Sequence, residues 1–167
     1  MTNDPPAPLG RRAWAYRYLF GIALVVLILD QVSKAWIVAR LPFGTYGEGS
    51  IAVIPGLFYI VHVGNTGAAW SLLSGFSWVL GLLAVCTLIA IGIWRQALGL
   101  RDVVTQIAFG LLCGGIVGNL ADRLCRGHVV DFLDFHFGSY IYPTFNAADS
   151  GICVGVGLYL IRSLRSK

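Results

Sequence analysis

The sequence predicts an all-α membrane protein, a four-transmembrane-helix bundle with a small β-strand cap on its outer side. Three observations predict it. Of the 167 residues, 57% are hydrophobic and only 12% charged, with a mean hydropathy of +0.75, a balance suited to lipid rather than to a water-facing surface. Four apolar segments are long enough to cross roughly 30 Å of hydrocarbon at about 1.5 Å rise per residue. Between them lie two loops rich in β-branched and aromatic residues, the composition of short strands.

Residues 1–15, with Pro5, Pro6 and Pro8, read as a disordered cytoplasmic tail. The first span runs over about 18–39. Arg11, Arg12 and Arg17 ahead of it resemble the start of a cleaved signal peptide, but the apolar run continues past Asp30 to Ala39 with no A-x-A-like site, so the span is retained. An outer loop over about 40–76 follows, in which "SIAVIPGLFYIVHVGN" breaks at Pro55-Gly56 and reads as a hairpin. The second and third spans cover about 77–94 and 103–121. The outer loop at about 122–144 carries "HVVDFLDFHFGSYIYPTF" with a turn at Gly138-Ser139, and the fourth span covers about 145–161. The whole chain, 1–167, forms a single integral membrane domain.

Basic residues set the orientation. With four spans, both termini share a side with the short 95–102 link. That side holds Arg11, Arg12, Arg17, Arg95, Arg101, Arg162, Arg165 and Lys167, against Lys34, Arg40, Arg123 and Arg126 on the other. The positive-inside bias therefore predicts cytoplasmic termini. Acidic residues run the opposite way, since Asp30, Glu48, Asp122, Asp131, Asp134 and Asp149 lie at or beyond the outer span ends. Chemistry is expected on the outer face. The basic residues flank apolar runs instead of forming a dense patch, which excludes nucleic acid as a partner. Cys86, Cys113, Cys125 and Cys153 have no metal or redox spacing and read as small buried hydrophobes. The three histidines show no HExxH pattern, and no G-x-S-x-G supports a serine nucleophile.

Several polar clusters sit in or beside the spans. Asp30 and Lys34 stand at i, i+4 and can neutralise each other. In "GGIVGNLADR", Asn119, Asp122 and Arg123 share one helical face, and Gly110, Gly114 and Gly118 form a smooth stripe for packing between spans or for a substrate helix. Asp131 follows shortly after, and Asp149 opens the fourth span with Asn146 three residues earlier. Two carboxylates brought together there can share one proton, one acting as general base on water and the other polarising a carbonyl. Ion pairing with Arg123 or Lys34, with a purely structural role, is the competing reading, as is a proton-coupled transporter that relays protons through Asp30, Asp131 and Asp149.

The ordered blocks "LDQVSK", "NTGAAWS", "GGIVGNLADR", "VVDF" and "FNAADS" together resemble the lipoprotein signal peptidases, signal peptidase II, of bacteria. The resemblance implies an inner-membrane aspartic endopeptidase with no metal or cofactor. Such enzymes remove the signal peptide from prolipoproteins, cleaving just before a diacylglyceryl-modified cysteine. It matches Asp131 and Asp149 to the catalytic pair, and Asn65, Gly115, Asn119, Asp122, Arg123 and Asn146 to positions that line or support the site. Asp30 and Lys34 match a structural polar pair. The implied partners are the lipidated prolipoprotein and membrane lipid, with the site near the outer face; one chain supplies every block, so a monomer is expected. Trp70 stands where the family more often has Phe, and Ala121 where a larger aliphatic residue is usual. The segment 67–76 is expected to act as an interfacial lid.

Overall fold

A computed structural model describes residues 14–68 and 72–165. Residues 1–13 of the expected tail, and Trp70 in the expected lid, lie outside them. The elements follow in the order α1 (Arg17–Arg40), β1 (Ile51–Ile54), β2 (Phe58–Asn65), α2 (Ser77–Ile93), α3 (Val103–Arg126), β3 (Val129–Phe137), β4 (Tyr140–Ile141) and α4 (Ala147–Arg165). Among the described residues, α1, α3 and α4 are long and apolar enough to cross a bilayer. The 17 residues of α2 carry no charge. They rise about 26 Å, near the lower end of what a span needs.

The helices pack through glycine. Gly110 and Gly114 on α3 face α1, where an added Cβ at Gly114 would stand 2.6 Å from the Ala23 carbonyl oxygen. The stripe predicted from sequence is therefore occupied by the chain's own first helix rather than left as an open groove. A second row joins α3 to α4: a Cβ on Gly115 would strike the Ala148 carbonyl oxygen, and one on Gly155 would stand 2.6 Å from that of Ala108. Backbones that close are permitted only where side chains are absent.

Large apolar residues such as Phe20, Leu24, Leu29, Val32 and Trp36 point outward from α1, whereas Asp30, Lys34, Asn119, Asp122 and Asn146 are buried. This inverts the soluble pattern and suits a helix bundle surrounded by hydrocarbon. Apolar clusters lie on either side of the polar centre, Leu19, Leu100 and Phe109 on one, and Ile37, Val130 and Phe132 on the other. Cys86, Cys125 and Cys153 are exposed and Cys113 half-buried, which corrects the expectation of buried thiols.

The strands form one antiparallel sheet in the order β1-β2-β3-β4. Gly56, at φ 79°, makes the turn between β1 and β2, a conformation that favours glycine. β2 then pairs with β3 from the other loop, Val63 opposite Asp131 and Gly64 opposite Val130. Main-chain bonds from Phe132 and Leu133 to the Phe145 carbonyl draw the start of α4 alongside β3. The sheet thus carries Asp131 to the end of α4 where Asp149 lies.

Candidate active site

Each element delivers its residue for a local reason. Asn146 stands directly before Ala147, the first residue of α4, in the N-cap position. Its Oδ1 accepts from the Asp149 amide at 2.9 Å, and the Asp149 Oδ2 accepts in return from the Asn146 amide at 3.2 Å. This reciprocal pairing satisfies two backbone donors that a helix start leaves open. It also fixes the Asp149 carboxylate at the mouth of the span.

The same Asn146 reaches the other acid, its Nδ2 donating to Asp131 Oδ1 at 2.7 Å. Asn65, the last residue of β2, donates to Asp131 Oδ2 at 2.9 Å. Asn119 on α3 donates to Asp149 Oδ1 at 2.7 Å. Asp131 and Asp149, with Asn65, Asn119 and Arg123, line a cavity of about 380 Å³ whose other walls include Val129, Phe145, Ile152 and Cys153. A pocket of that kind, mostly apolar with converging polar groups, suits a ligand that is itself largely apolar.

Burial pushes the Asp131 carboxyl up to about 7, the negative charge of Asp149 adds to the rise, and the hydrogen bonds from Asn65 and Asn146 oppose it. Desolvation disfavours the ionised form, and a neighbouring like charge does the same. Near pH 7 the Asp131 carboxyl is thus poised between its protonated and ionised forms.

Arg123 donates through Nη2 to the Gly67 carbonyl at 3.0 Å and through Nη1 to the Asn119 carbonyl at 3.4 Å, tying the loop after β2 to α3. Its Nε has no partner among the described residues. Leu73, in the described part of the 67–76 segment, has φ 58°.

Asp30, Lys34 and Asp122 lie behind the cavity wall. Lys34 Nζ stands 2.8 Å from both Asp30 Oδ2 and Asp122 Oδ2. Asp30 Oδ1 also accepts from the Ala148 amide at 3.0 Å, and Asp122 Oδ2 from the Val130 amide at 3.2 Å. Asp122 therefore anchors the residue beside Asp131 without lining the cavity, although it shares a helical face with Asn119. Gly115 likewise supports the site from outside, by admitting α4 against α3.

Two participants were not singled out from sequence. Gln31 donates to Asp30 at 3.0 Å and to the Gly118 carbonyl at 3.2 Å, and Arg126 pairs with Asp122. The signals were a polar residue beside Asp30 in an apolar run, and an acid and base at i, i+4 on α3.

Residues 22–165 match the sequence family described as Signal peptidase (SPase) II. A lipoprotein signal peptidase of Bacillus pumilus (strain SAFR-032) is 41% identical over 147 residues, 88% of this chain and 92% of that protein. One of Nitratidesulfovibrio vulgaris (strain DP4) is 38% identical over 156 residues, covering 90% and 91% respectively. Two solved structures, each described as a bacterial membrane enzyme determined by the in meso method, are 36% identical to it. They superpose with TM-scores of 0.79, covering 88% of this chain and 87% of the other, and 0.77, covering 89% and 94%.

Proposed function

Because the chain belongs to the signal peptidase II family, we propose that it is an aspartic endopeptidase of the bacterial inner membrane. Its substrate is a diacylglyceryl-modified prolipoprotein, which it cleaves just before the lipidated cysteine. The observation that carries this reading is the bridge made by Asn146, which holds Asp131 and accepts the main chain of Asp149 at one cavity.

The chemistry follows from the shared proton. Asp131, whose carboxyl is held up by burial and the neighbouring charge, is taken as the protonated member and Asp149 as the base, although the titration belongs to the pair. Asp149 removes a proton from a water molecule as the water oxygen bonds to the scissile carbonyl carbon. Asp131 gives its proton to the carbonyl oxygen. As the tetrahedral species collapses, the C–N bond breaks, the leaving nitrogen takes the proton held by Asp149, and the hydroxyl that becomes the new carbonyl returns its proton to Asp131. Asn65, Asn119 and Asn146 hold the two carboxylates in place, and Arg123 braces the loop that borders the cavity.

The same reading makes the whole chain one integral domain and monomer, with α2 as a fourth span and the sheet as an outer cap. Both termini are cytoplasmic, so the site meets water on the outer side. The signal peptide, an apolar helix, enters the apolar part of the cavity from lipid.

The test is a gel-shift cleavage assay with a lipidated prolipoprotein in micelles, comparing wild type with Asp131→Asn and Asp149→Asn. Either change is expected to abolish turnover with substrate binding largely retained. Folded variants that cleave at the wild-type rate would end this assignment.

A further inference from the structure

We propose that Lys34, beyond balancing buried charge, is a positioning residue for the reaction: it fixes which end of the Asn119 amide faces Asp149. The proposal rests on assigning that reaction to Asp131 and Asp149. An ammonium has three protons and no acceptor. Lys34 is fully buried, and its three short contacts are Asp30 Oδ2 at 2.8 Å, Asp122 Oδ2 at 2.8 Å and Asn119 Oδ1 at 3.0 Å.

The third contact carries the argument. The two ends of a carboxamide are alike in shape, so its partners decide its orientation. Turned over, Asn119 would set an NH2 against the Lys34 ammonium and an oxygen against the Asp149 carboxylate, repulsive on both sides. As built, oxygen faces the ammonium and Nδ2 donates to Asp149 Oδ1 at 2.7 Å. The choice passes on. Asn119 Oδ1 accepts a second bond, from Asn146 Nδ2 at 3.2 Å, so that Asn146 presents Nδ2 to Asp131 and Oδ1 to the Asp149 amide. One ammonium thus sets the polarity of both amides, and through them of the donors on both acids.

Charge balance alone does not account for this contact. Asp30 and Asp122 face Lys34 and Arg126, two acids against two bases, and that sum closes without Asn119. Lys34 also does not line the cavity, so losing it leaves the substrate's own contacts in place.

The experiment compares kcat and KM on a lipidated prolipoprotein for the full chain in micelles. The variants are Lys34→Met, the charge-balanced double variant Asp30→Asn with Lys34→Met, Asn119→Ala, the triple combination, and Asp149→Asn as control. An Asn at position 30 keeps an oxygen for the Ala148 amide, which protects the fold. The double variant is expected to lose about tenfold to a hundredfold in kcat, the scale of a small misplacement at a reacting centre, with KM within about twofold. Added to Asn119→Ala, the same pair of changes is expected to cost less than about twofold more, because Lys34 acts through that amide. A folded double variant that keeps wild-type kcat, or whose loss multiplies in full onto Asn119→Ala, overturns the proposal and leaves the catalytic pair standing. Wild-type turnover by Asp149→Asn instead overturns the catalytic pair itself.

Discussion

Asp131 is only 2% exposed, and its carboxyl is held up at about 7 by burial and by Asp149. Its unfolded counterpart ionises near 3.8. Between those two values the folded chain keeps a proton that the unfolded chain has lost, so stability from this group falls as pH rises from about 4 to 7 and stays low above. Asp131→Asn removes that pH-dependent penalty, but it turns an NH2 toward one of the two amide donors, Asn65 or Asn146, a cost that does not change with pH. Relative to wild type, the melting temperature of the variant is therefore expected to rise by a few degrees between about pH 5 and about pH 8, as measured by thermal unfolding in detergent, and a difference that stays flat over that range would contradict the raised carboxyl. Activity has its own signature, an alkaline loss of kcat/KM with a midpoint near 7 as the pair gives up its proton. A residue that lowers stability while serving the proposed reaction is in tension with the fold around it, as expected of a site.

At the scale of elements, α3 is the member that meets both α1 and α4 through its glycines. Gly114→Ala would bring a Cβ to 2.6 Å from the Ala23 carbonyl and 2.8 Å from Val26 Cβ, and is expected to cost about 1–3 kcal/mol through overpacking. Gly21→Ala, with nothing within 4 Å of the new methyl, is expected to leave stability unchanged or raise it by up to about 1 kcal/mol. Melting curves of the two variants side by side measure the difference. Helices and turns were readable because their signals are local. Among the described residues the apolar runs gave the four long helices, although α3 and α4 run on past their predicted ends to Arg126 and Arg165, and Pro55-Gly56 and Gly138-Ser139 gave the turns of the two strand pairs. The partnership of β2 with β3 was not readable, since it joins two loops separated by two helices. The separation of Asp122 from Asn119 was hidden as well. Helical spacing puts them on one face, but only the neighbours decide that Asp122 turns to Lys34 and Asn119 spans both Lys34 and Asp149.

For the molecule as a whole, the buried acids among the described residues, Asp30, Asp122, Asp131 and Asp134, collect toward one end of the bundle, and the basic residues near the other set the proposed orientation. Thiol labelling tests it. With the remaining cysteines replaced, a membrane-impermeant maleimide applied to intact spheroplasts is expected to label Cys125, exposed near the end of α3. A Gln96→Cys variant, in the link between α2 and α3, is expected to react only after the cells are opened. The complete burial of Lys34 has a practical result of its own. Lys167 is the only other lysine in the sequence, so an acylating reagent finds the Lys34 amine only once the bundle comes apart. The mass increment at that position, followed over time, is a built-in clock for unfolding.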